Sequence, residues 1–103
     1  MKELFRGFMR IHILYHAGNE TIYGVWMMSE LKKHGYEVSP GTLYPLLHNM
    51  EKEGLLKSRK EVHEGRVRKY YRITSQGKEV LKKAREKVKE LAQEILREDK
   101  SYG

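Results

Sequence analysis

The segment from Ser39 to Ile73 constrains the fold most, because a capped amphipathic helix there runs directly into two short strands. Ser39-Pro40-Gly41-Thr42 is a strong helix start. Ser39 can cap, and Pro40 at the first helical position surrenders an N–H that had no partner. Leu43, Leu46, Leu47 and Met50 then fall on one face, and the helix stops near Gly54. Beyond it, Leu55 to Val62 and Val67 to Ile73 read as strands joined by His63-Glu64-Gly65-Arg66, with Glu-Gly a moderate turn signal.

Around this unit the remaining segments read as helices. Leu4, Phe8, Ile11 and Tyr15 recur at helical spacing, widened by Phe5 and by Ile13 or Leu14, so the first helix is expected over about residues 2–16. Ala17-Gly18-Asn19-Glu20, rich in turn formers, reads as a loop. Thr21 is expected to cap a second helix through Val25, Met28 and Leu31, closed by Gly35 in a left-handed conformation. A short first strand is expected around Tyr36-Glu37-Val38. Thr74 or Ser75 opens a final helix of roughly 22 residues, about 33 Å long.

Three helices, a hairpin and a last helix on 103 residues suggest a mainly α (α+β) winged helix-turn-helix, with the third helix entering a groove and the hairpin reaching the flanking backbone. The net charge of +7 favours a polyanion as partner, since lysine and arginine displace counterions from phosphate. The absence of cysteine excludes disulfides, thiolate metal sites and thiol nucleophiles. No apolar run approaches the roughly 20 residues of a membrane span, and the first residues do not read as a signal peptide. The chain is therefore expected to be cytoplasmic, with no membrane association. The excess of Lys and Glu over Asn and Gln matches the bias of hyperthermophile proteins, and equally that of a highly soluble surface with long charged helices.

On the third helix, Gly41, Pro45, His48 and Lys52 lie opposite the apolar stripe, with Thr42, Tyr44 and Asn49 at the edges. This surface carries the modest donors and acceptors that base edges and phosphates require. Asn49 can pair with adenine and His48 with guanine or phosphate. Pro45 breaks a rule, because an interior proline costs a helix about 3 kcal/mol. Its place on the solvent face points to function or to an irregular first turn.

The run Ser39-Pro40-Gly41-Thr42-Leu43-Tyr44-Pro45-Leu46-Leu47, followed by Met50-Glu51-Lys52-Glu53-Gly54-Leu55-Leu56, resembles the PadR family of transcriptional regulators. Arg68-Lys69-Tyr70-Tyr71-Arg72-Ile73-Thr74, Gly77 and Tyr23-Gly24 are similar to that family as well, so the resemblance covers roughly residues 4 to 90. It implies a dimeric winged-helix DNA-binding protein, usually a repressor. Some members release DNA on binding a small molecule, so an unidentified small-molecule effector is among the partners it implies.

The two strands and their tip carry Lys57, Arg59, Lys60, Arg66, Arg68, Lys69 and Arg72. Tyr71 and Ile73 are expected to pack inward, leaving Tyr70 and its arginine neighbours exposed. Arg66 and Arg68 flank the turn and are the best candidates for phosphate or minor-groove contact, supported by Arg59, Lys60 and Lys69. The competing reading is an edge hairpin protected by charge against aggregation. Glu61 and Glu64 are acidic intrusions, and Glu64 would repel phosphate unless it points away.

In the last helix Leu81, Ala84, Val88, Leu91 and Ile95 form a short heptad seam, which Ala92 and Leu96 widen. Together with Phe5 and Phe8 of the first helix they are the expected homodimer interface. Residues 1–75 are then a DNA-binding domain and 76–100 a dimerisation helix. A dimer would set two recognition helices about one duplex turn apart on a pseudo-palindromic site of double-stranded DNA.

His12 and His16 stand four apart, a spacing that can hold a metal, yet no carboxylate or cysteine supports them locally. No metal or other cofactor is expected. Trp26, Met27 and Met28 could line a pocket, but core packing explains them better. Catalysis is not expected: the one aspartate, Asp99, lies near the end, and no phosphate-binding glycine loop occurs. The rival functions are a winged-helix module that binds protein and an architectural DNA binder without sequence preference.

Overall fold

The computed structural model describes residues 1–97. The elements follow in the order α1 (Lys2–Asn19), β1 (Ile22–Tyr23), α2 (Gly24–Lys33), α3 (Pro40–Lys52), β2 (Leu56–His63), β3 (Arg66–Ile73) and α4 (Ser75–Ile95). Asp99 and the last three residues of the expected 76–100 segment lie outside the described residues. The sheet is antiparallel in the order β1-β3-β2.

The core forms where the helices meet the inner face of this sheet. Ile13 of α1, Met27 and Leu31 of α2, Leu43, Leu47 and Met50 of α3, Ile22 of β1 and Leu56 of β2 are all completely buried. Each such side chain contributes roughly 1.5–3 kcal/mol by leaving water. Met27 is thus a core residue, and Trp26 and Met28 pack against the edge of the same cluster.

Two glycines end helices by the same device. Gly35, with φ of 88°, lets the Tyr36 N–H bond to the Leu31 carbonyl while its own N–H bonds to Lys32. Gly54, with φ of 84°, repeats the pattern through Leu55 to Met50 and its own N–H to Glu51. Both are Schellman closures, which satisfy orphan carbonyls at the end of a helix. Leu55 is carried into the core by the second one.

Four expectations are corrected. The first strand is not at residues 36–38: the Schellman turn occupies Tyr36, and Val38 simply drops into the core. The strand is Ile22–Tyr23, which pairs with Tyr71 and Tyr70 and displaces Thr21 from a capping role, so α2 begins at Gly24. Helix α1 runs on through Asn19 instead of ending in a loop at Ala17. There Ala17 is buried and Gly18 faces Ile73 and Leu81, so these residues are small for packing and not for turning. Ser39 occupies the cap position of α3 but its hydroxyl caps no N–H, meeting the Thr42 hydroxyl at 3.3 Å instead.

Pro45 sits inside an unbroken α3 on its exposed side. The Gly41 carbonyl, deprived of its partner, can there bond to water. Helix α4 starts with a true side-chain cap. Thr74 Oγ1 accepts from the Gly77 N–H at 2.9 Å and donates to the Gly54 carbonyl at 2.6 Å, tying the end of α3 to the start of α4.

Candidate nucleic-acid interface

Because Leu43, Leu46, Leu47 and Met50 bury one side of α3, its other side is presented outward: Gly41, Thr42, Tyr44, Pro45, His48, Asn49 and Lys52 are all exposed, with Ser39 at the leading end. One flank of this surface is α1. Arg6 and Arg10 line a shallow hollow with Thr42, Asn49 and Lys52. Arg10 grips both carboxylate oxygens of Glu53 at 3.0 and 2.9 Å, fixing α1 to the end of α3. These two arginines were not legible as part of the site, since they are distant from α3 in the chain.

The other flank is the hairpin. A concavity of about 730 Å³ separates Tyr44 and Val25 from the hairpin residues Arg66, Val67, Arg68 and Lys69. At the tip Glu64 and Gly65 take φ of 51° and 75°, the two positive values that a type I′ turn requires. Strand register assigns the faces. Lys60 opposes Lys69 and Val62 opposes Val67 on the side of Tyr71, whereas Arg59, Glu61, Arg66 and Arg68 lie on the other side with Tyr70. The five basic residues expected to act together are therefore divided between two faces of one ribbon.

Their charges are not equally available. Arg59 is paired with Glu61 on its own strand. Lys69 lies 3.2 Å from Glu51 of α3, and Ser58 bonds the same carboxylate. The Ser58 hydroxyl first, and Lys69 after it, hold the Glu51 carboxyl below its ordinary pKa against the opposing effect of burial. Arg68 stacks over the Tyr23 ring at 4.3 Å. Among the described residues no carboxylate is within ion-pair distance of Lys60, Arg66 or Arg68. Tyr70 is half-buried and not exposed as expected, because Tyr23 meets it edge-on at 5.7 Å.

Tyr44 owes its position to Gly24. A Cβ on Gly24 would stand 2.4 Å from the Tyr44 ring, so the ring lies directly on the first turn of α2 while remaining 42% exposed. A Gly24→Ala variant is expected to push Tyr44 out of this crease, weakening DNA binding with little change in melting temperature, since the obstructing atoms belong to a movable side chain. The effect should vanish in a Tyr44→Ala background, as coupled residues demand. Equal loss in both backgrounds would remove Tyr44 from the explanation.

Three helices with an outward polar face on the third, followed by a basic hairpin, define a winged helix-turn-helix protein. The chain belongs to the PadR-like family of transcriptional regulators, whose family model matches residues 13–83. It is 48% identical over 96 residues to a transcriptional regulator of Mycobacterium tuberculosis, covering 93% of this chain and 90% of that one. A PadR family transcriptional regulator of Eggerthella lenta is similar in structure, with a TM-score of 0.79 and 33% identity over 90% of this chain and 82% of that one. A PadR-like transcriptional regulator of Bacillus cereus gives a TM-score of 0.75 and 34% identity over 94% and 99% of the two chains. The family is one of regulators and not of enzymes. Among the described residues no helix is long and apolar enough to cross a membrane.

Proposed function

We propose that this protein is a cytoplasmic, sequence-specific repressor that binds a pseudo-palindromic site in double-stranded DNA as a homodimer. The observation that carries this reading is the exposed polar face of α3 set between the arginines of α1 and the basic hairpin. In this reading Ser39, Gly41, Thr42, Tyr44, Pro45, His48, Asn49 and Lys52 face the major groove, where Asn49 suits adenine. Arg66, Arg68 and Lys60 reach the flanking backbone, while Arg59 is engaged within the hairpin by Glu61 and Lys69 ties the hairpin to α3. Repression, and release by a small-molecule effector, rest on the family resemblance.

Residues 1–75 are the DNA-binding part and α4 the dimerisation part. The support for a dimer is apolar surface that the single chain leaves uncovered. Leu81 and Ala84 are half-buried, and Leu81 packs on the core, but Val88, Leu91 and Ile95 remain exposed. On α1 the buried side is Met9, Ile13, Leu14 and Ala17, which leaves Leu4, Phe5 and Phe8 outward. Light scattering at micromolar concentration is expected to give a dimer, and Leu91→Glu a monomer, because an unpaired charge does not tolerate burial. A wild-type monomer would remove the dimer from this proposal.

The function itself is tested by selecting fragmented host genomic DNA on the purified protein at about 0.2 M salt, where non-specific contacts weaken sharply. Enrichment of a few fragments sharing an inverted repeat is expected. Uniform recovery would favour an architectural binder, and no recovery a protein-binding module.

A further inference from the structure

His12 and His16 lie one turn apart on α1, with no carboxylate or cysteine between them. The tertiary structure brings both a third imidazole and a carboxylate to them from the end of α2. The His34 ring stacks on that of His12 at 4.5 Å. One ring nitrogen from each of His12, His16 and His34 lies within 4.8 Å of the other two. Glu30, one turn before His34, places Oε2 at 3.8 Å from His16 Nε2 and at 3.8 Å from His34 Nε2. The buried His16 Nε2 has no hydrogen-bond partner. A buried nitrogen left unpaired is costly, and unsatisfied polar groups in native proteins commonly mark an ion or a function.

We propose that His12, His16, His34 and Glu30 form a binding site for a divalent transition-metal ion of the zinc class. Three imidazoles and one carboxylate are donors that such ions accept in four-coordinate geometry. With Zn–N distances of about 2.0–2.1 Å, tetrahedral ligands stand roughly 3.4 Å apart. The ligand atoms, within 4.8 Å of one another, would draw together by up to about 1.4 Å on binding an ion. Lys33 engages the other oxygen of Glu30, Oε1, at 3.5 Å, which leaves Oε2 turned toward the imidazoles. Arg85 of α4 lines the same cleft, and its charge, with that of Lys33 beside Glu30, works against a metal. An ion in this position cross-links α1 to the segment that leads through Gly35 into α3.

The test is titration of tag-free, chelator-treated full-length protein with Co²⁺ followed by Zn²⁺. One Co²⁺ per chain with the intense visible absorption of a tetrahedral site is expected, displaced stoichiometrically by Zn²⁺. His34→Ala should weaken binding on the order of 100-fold or more, since even the outer partners of metal ligands are worth about 10–100-fold. Its side chain is 45% exposed, and melting in chelator should confirm an intact fold. Glu30→Gln should weaken binding in the same sense, and replacing His63, at the far end of the hairpin, should leave metal binding unchanged. Absence of saturable binding at micromolar metal would overturn the proposal. So would wild-type affinity in His34→Ala and Glu30→Gln, or loss of metal binding in the His63 variant.

Discussion

Replacing Arg66 and Arg68 together by glutamate is expected to lower affinity for a selected DNA site on the order of 100-fold near 0.15 M salt, leaving the oligomeric state unchanged. Both arginines lie on one face of the hairpin beside its tip, and no carboxylate among the described residues neutralises them. Their loss removes two cations from the phosphate footprint and adds two anions to it. The dependence of log affinity on log salt should flatten by about 2 in the corresponding double alanine variant, roughly one for each phosphate no longer neutralised. The fold should hardly notice, because the main interaction removed is the stacking of Arg68 on Tyr23, worth about 0.5–1 kcal/mol at an exposed site. Undiminished affinity with an unchanged salt slope would mean that the hairpin does not touch DNA.

Gly77→Ala is expected to destabilise the protein by about 3 kcal/mol, the upper part of the range for forced overpacking. A Cβ at this position would stand 2.2 Å from the Leu55 carbonyl oxygen and 2.7 Å from Ile73 Cγ1. The first obstacle is backbone and cannot rotate away. It is also the carbonyl that receives the Thr74 N–H at the junction of β3 and α4, so moving it loosens that junction as well. Alanine is the better helix former by about 1 kcal/mol, and the clash must exceed that advantage. Thermal unfolding should show the midpoint fall by more than about 10 °C. A midpoint equal to or above wild type would contradict the close approach of α4 to the α3–β2 connection.

The parts of the site that were legible in the sequence are those built within one element. The outward face of α3 follows from the spacing of Leu43, Leu46, Leu47 and Met50, and the hairpin from two short runs around Glu64-Gly65. The closures at Gly35 and Gly54 were equally readable, since a left-handed glycine after an amphipathic run leaves few alternatives. What escaped reading was mostly non-local. A two-residue strand at Ile22–Tyr23 has too few positions to show a period, and it exists only because β3 offers a partner edge. The extension of α1 through Gly18 escaped for the opposite reason: its small residues mimic a turn but are selected by Ile73 and Leu81.

By itself, then, the order of residues determined the helical stripes, the Thr74 cap, the glycine closures, the hairpin and the family, because these depend on side-chain periodicity and on backbone preferences a few residues long. The tertiary structure alone decided how charges and rings separated in the chain meet. It set Lys60 across from Lys69, brought Lys69 to Glu51 and Arg68 to Tyr23, seated Tyr44 on Gly24, and gathered His34 and Glu30 around His12 and His16. Such contacts follow from strand register and from the packing of one helix on another, which a local pattern of hydrophobicity does not encode.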